Sequence, residues 1–128
     1  MKNSWLTLLA MTAAALLIPR PADGHHGLAA FDQKTVVTLK GTVTDFHFVN
    51  PHAVVEFEVK DDKGRVEEWK GELSSAGALA ARGWTAASLQ AGDPLTISGY
   101  PAKNGAASLW ATKLLLANGQ ELKLGGGN

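Results

Sequence analysis

Four histidines, His25, His26, His47 and His52, fall within one stretch of 28 residues, and none occurs after it. Neutral imidazole is a good ligand for zinc, copper and nickel, so such a cluster reads as a candidate metal site. His25 gains a further property if export trims the chain just before it. Its free α-amine and its ring Nδ1 then close a chelate on one ion, and an amine with a reference pKa of about 8 gives up its proton to a cation at little cost. A third nitrogen from His26, His47 or His52 completes the planar set that Cu(II) prefers. The competing reading makes His25 and His26 solvent-facing residues of a terminus and His52 an ornament of the turn Asn50-Pro51. By strand parity, His47 and His52 face opposite sides unless that turn reorients one of them.

Other chemistry is narrower. Cysteine is absent, and both methionines, Met1 and Met11, precede His25, so a copper site in the trimmed chain is a nitrogen site rather than a thiolate or thioether site. Trp69, with Glu72 close by on the same segment, is the candidate contact for a sugar, base or peptide, since small β-barrels use exposed aromatics as stacking platforms. Most of the other aromatics are expected in the core. Glu56, Glu58, Glu67 and Glu68 read as a solvated face, with nothing to desolvate one of them as a general acid. No GxSxG elbow and no phosphate-cradling glycine loop followed by a helix is present.

The segment before the histidines explains where they come to act. Lys2 is followed by the weakly polar run Leu6 to Ile18, which is 13 residues long, and then by Pro19, Arg20 and Pro21. Such a run falls short of the roughly 20 residues of a membrane span but suits a secretory leader. Ala22 and Gly24 are the small residues that signal peptidase accepts, which predicts a leader over 1–24 and cleavage between Gly24 and His25. The expected product is a single domain over 25–128, periplasmic or secreted, with no stable membrane anchor. The whole chain has 12 basic and 12 acidic residues; losing Lys2, Arg20 and Asp23 leaves 10 and 11. That balance offers no basic footprint for phosphate backbones, so nucleic acid is excluded as an expected partner.

The elements that must position these residues are mostly strands. Val36 to Asn50 is rich in β-branched and aromatic residues, and Gly41 within it marks a bulge or bend. His52 to Asp61 alternates, with Ala53, Val55, Phe57 and Val59 on one face and His52, Val54, Glu56, Glu58 and Lys60 on the other. The turn signal DDKG precedes a third strand, Arg65 to Leu73. Ser74 or Ser75 caps a short helix over Ala76 to Ala81, which Gly83 stops. PLTISGYPA, SLWATKLLLANG and QELKL supply the remaining strands. The order predicts a mainly β chain: a small five- to six-stranded OB-like antiparallel barrel, with one short helix between strands 3 and 4. A closed barrel also suits an exported domain without disulfides.

Several stretches taken together resemble a family of small exported bacterial proteins known only as a domain of unknown function. They are HHG ahead of Phe31-Asp32, TLKGTV (Thr38 to Val43), NPHA (Asn50 to Ala53), Trp69, LAARGW (Leu79 to Trp84), SLQAGD (Ser88 to Asp93), GYPAKNG (Gly99 to Gly105) and LANGQEL (Leu116 to Leu122). The resemblance implies a mature N-terminal His-His pair, a shared Asn-Pro-His turn and an exported, mostly β protein. Gly27 and Leu28 stand where that family commonly has Ser and Phe. Ala78 and Ala81 stand where it often has Asn and a basic residue.

Three functions are expected in descending order. First comes a non-catalytic module that binds a divalent metal, copper before others, through His25, His26, His47 and His52. Second comes a metal-free adaptor for a small ligand or partner protein, using the barrel face near Trp69 and Glu72. An oxidative copper enzyme on the same histidines comes last, because so small a barrel supplies little surrounding shell and a single tyrosine.

Overall fold

A computed structural model describes residues 27–125. The leader, its cleavage point, His25 and His26 lie outside the described residues. Six strands and one short helix follow a 3-10 turn at Leu28–Ala30: β1 Val37–His47, β2 Val54–Lys60, β3 Val66–Glu72, α1 Ala76–Ala80, β4 Pro94–Pro101, β5 Ser108–Leu116 and β6 Glu121–Leu122. Their order in the sheet is β3-β2-β1-β4-β5-β6, and a parallel pairing of β3 with β5 closes the first five into a barrel. The mainly β, OB-like barrel with a helix between its third and fourth strands is therefore the architecture expected from the sequence.

Long β1 makes closure possible by serving two partners. Val37 to Thr42 pair with β4, while Thr42 to His47 pair with β2. The strand turns the barrel corner where these two sets meet, beside Gly41. A Cβ there would run into the carbonyl oxygen of Glu58 and approach Cδ2 of Phe57 to 3.0 Å, so the neighbouring strand can come this close only to glycine. The register irregularity itself falls further along, between Val43 and Asp45. Gly41 thus marks the close approach, and the bulge it was expected to mark sits at Thr44.

The core follows the predicted alternation. Ala53, just before β2, and Val55 and Phe57 within it are fully buried, together with Ile97, Leu109 and Leu114 from β4 and β5. Val43 is buried too, but beyond Thr44 the inward residues become Phe46 and, just past the end of β1, Phe48, both packed against the core. Phe46 meets Trp84 at a ring distance of 5.9 Å. Trp84 is buried in turn, and its Nε1 donates to the Lys123 carbonyl at 2.9 Å. Ser75 caps α1 by accepting from the Ala78 N–H at 3.1 Å, the predicted role.

The β2–β3 turn is built around Asp61. Its carboxylate accepts the backbone N–H groups of Arg65 and Lys63, each at 2.9 Å, and the Arg65 Nε at 2.7 Å. These donors, Arg65 foremost, hold the Asp61 carboxyl below its usual range. The turn fixes a register in which every outward residue of β2 sits beside a known residue of β3.

Candidate metal centre

Two transverse rows on the outer face of the barrel define the site. The register aligns Asp45 with Glu56, Glu56 with Lys70, and Lys70 with Ser108. In the adjacent row His47 faces Val54, Val54 faces Glu72, and Glu72 faces Trp110. Asp45 and His47 point outward only because of the irregularity after Val43: without it, parity would turn both toward the core and turn Phe46 out.

Nε2 of His47 lies 3.4 Å from Oδ2 of Asp45 and 3.4 Å from Oε2 of Glu56. Ligand atoms of the three residues all fall within 4.8 Å of one another. Donors about 2.1 Å from a tetrahedral centre are themselves about 3.4 Å apart, so the imidazole nitrogen already stands at the right spacing from both oxygens for one small divalent ion. The side chains are half-exposed, at 59% for Asp45, 45% for His47 and 31% for Glu56, which leaves further coordination positions open to solvent or to other residues. The second oxygen of Glu56, Oε1, is engaged elsewhere, 3.5 Å from Nζ of Lys70. An open hollow of about 440 Å³ adjoins the group and is lined by His47, Glu56, Lys70 and Glu72 among others.

The residues proposed from sequence divide clearly. His47 is in the group and Glu72 is beside it. His52 is not: its ring packs edge-on against Trp110 at 5.3 Å, with Nδ1 buried and unpartnered among the described residues. Trp69 leans on the core side of β3, its Nε1 donating to Glu67, and lines a neighbouring hollow with Glu68 and Lys70. Asp45 and Glu56 are the functional candidates that sequence reading missed. Glu56 looks like one more solvated acid in an alternating strand, and Asp45 has the wrong parity until the bulge is known.

A further acidic pair borders the site. Glu58 and Glu68 stand directly opposite on β2 and β3. The hydrogen bond with Glu58, loss of hydration and repulsion from Glu58 and Glu56 raise the Glu68 carboxyl above its ordinary 4.5. The folded chain holds this proton more tightly than the unfolded one, so the pair costs stability as pH rises from 4.5 through the raised value. Glu68→Gln is accordingly expected to melt higher than the unaltered protein at pH 7. The difference should vanish below pH 4.5, where the pair keeps its proton. Thermal unfolding at both pH values checks it, and an equal gain at the two refutes the shared proton.

The family model described as "Family of unknown function (DUF6152)" matches residues 13–110. No curated protein matches the chain. Among solved structures, the chain is similar to a small single-stranded DNA-binding protein from Streptomyces coelicolor, with 17% identity and a TM-score of 0.46, over 73% of this chain and 96% of that one. It is also similar to the ZRD-deleted mutant of TiaS in complex with agmatine, with 20% identity and a TM-score of 0.40, over 75% of this chain. It spans only 26% of that protein's length. The likenesses concern the fold, and no ligand is carried over from either.

One expectation is corrected here. Nucleic acid was excluded on net charge alone, whereas a single-stranded DNA-binding protein stands among the structures of similar fold. A near-neutral total says little about where charges sit on a barrel, and the exclusion is withdrawn.

Proposed function

The chain belongs to the Family of unknown function (DUF6152), and we propose that it is an exported, non-catalytic module that captures a divalent metal ion at Asp45, His47 and Glu56. The observation that carries the reading is the placement of one imidazole nitrogen at 3.4 Å from two separate carboxylates. One nitrogen and two oxygens suit a borderline first-row ion, and copper stands highest among these in intrinsic affinity. The remaining positions fall to the amine and ring of His25 and to His26.

Binding rather than catalysis is the reading that the exposure of the donors favours. Donors this open to water keep an ion hydrated on one side and provide no dry wall against a reacting substrate. Export fits the leader-like run before His25 and the use of nitrogen and oxygen donors in a chain without thiols.

Isothermal titration of Cu(II) into protein processed before His25 tests the proposal. One equivalent is expected. Asp45→Asn combined with Glu56→Gln should weaken uptake strongly, and a single residue added before His25 should weaken it too by turning the amine into an amide. Uptake unaffected by the double substitution removes the site; uptake unaffected by the extension removes the amine from it.

A further inference from the structure

We infer that Lys70 decides which ions the site accepts, by holding Glu56 to one coordinating oxygen. The inference rests on the metal reading above and concerns selectivity within it. Glu56 divides its two oxygens between different neighbours: Oε2 lies 3.4 Å from the His47 nitrogen, while Oε1 lies 3.5 Å from the Lys70 ammonium. The register makes this division a built arrangement, since Lys70 is directly opposite Glu56 across β2 and β3. The base of Lys70 is fixed as well. Its backbone N–H donates to Ala107 at 3.0 Å, and the residue belongs to the short parallel pairing with β5 that closes the barrel.

The chemical consequence differs between classes of cation. Zn²⁺ and Cu²⁺ take about four ligand atoms and are content with a single oxygen from each carboxylate. Ca²⁺ takes about six to eight oxygens and commonly draws both from one carboxylate. An ammonium on Oε1 therefore withholds from Ca²⁺ a donor that Zn²⁺ does not need. The positive charge of Lys70 also repels any divalent ion, but that effect is common to both and cancels in the ratio of their affinities.

The test measures Zn²⁺ and Ca²⁺ dissociation constants by titration for the unaltered protein, Lys70→Gln, Lys70→Arg and Lys60→Gln. Lys60 ends β2 among its outward residues and serves as the control for charge alone. Lys70 is 65% exposed, so its replacement leaves the barrel intact, which a thermal melt verifies. Lys70→Gln is expected to shift the affinity ratio toward Ca²⁺ by about fivefold, the reach of one exposed ion pair. Lys70→Arg should keep the original ratio, and so should Lys60→Gln. If Zn²⁺ binds but Lys70→Gln leaves the ratio where Lys60→Gln leaves it, Lys70 is only a charge and the inference falls while the metal site stands. A protein that takes up neither ion overturns both.

Discussion

Replacing His47 by alanine is expected to weaken Cu(II) binding by at least about tenfold, because even partners one shell removed from a metal command 10- to 100-fold in affinity. His47 supplies the nitrogen that sits between Asp45 and Glu56 at equal distances from both. Without it the described part of the site is two carboxylates, which favour hard oxygen-seeking ions over copper or zinc. The loss should therefore be selective: Zn²⁺ and Cu²⁺ fall together, and Ca²⁺ changes little. Folding should survive, since the side chain is 45% exposed and packs into no core. Titration with the three ions, alongside a thermal melt, checks each part. Copper uptake unchanged by the substitution would place the ion elsewhere.

The second large effect concerns the barrel that holds the site. Phe57→Ala is expected to cost about 3–5 kcal/mol, a large share of the roughly 5–15 kcal/mol that keeps a domain of this size folded. Phe57 is fully buried, and its ring lies in a slot flanked by glycines. A Cβ on Gly41 would come within 3.0 Å of the ring and one on Gly71 within 3.6 Å. Neither neighbour owns a side chain that can swing into the vacated space, so the cavity stays open and the cost lies toward the upper end. Urea unfolding should show the midpoint falling by more than about 1 M. Val66→Ala, at a side chain 49% exposed, is the control and should stay within about 0.5 kcal/mol. A small shift for Phe57→Ala would mean that the strands collapse onto the gap.

The barrel was legible in the sequence because its signals are local. The alternation from Ala53 to Val59, the Asp61 turn, the Ser75 cap and the strand-rich run containing Gly41 each act over a few residues, and together they dictate the order of elements. The site was only half legible. Spacing singled out His47, while Glu72 was expected to touch a ligand beside Trp69 rather than to border a metal, and grouping the histidines by nearness in sequence joined His52 to His47, which the fold separates. His52 follows the turn that leads into Ala53 and goes to Trp110, while His47 stays on the outer face beside residues about ten positions on. Asp45 and Glu56 come together through the pairing of β1 with β2, a relation between strands that no single stretch of sequence displays. The nucleic-acid exclusion failed for a similar reason, since a total charge carries no information about position.

Thr44 makes β1 a strand written in two phases. Up to Val43 the odd-numbered residues look inward, and from Phe46 onward the even-numbered ones do. Were Thr44 drawn into regular pairing, the same letters would drown an acid and an imidazole and lift two phenyl rings into water. Whatever chemistry this surface performs is thus held in place by a single backbone step, upstream of every atom that performs it.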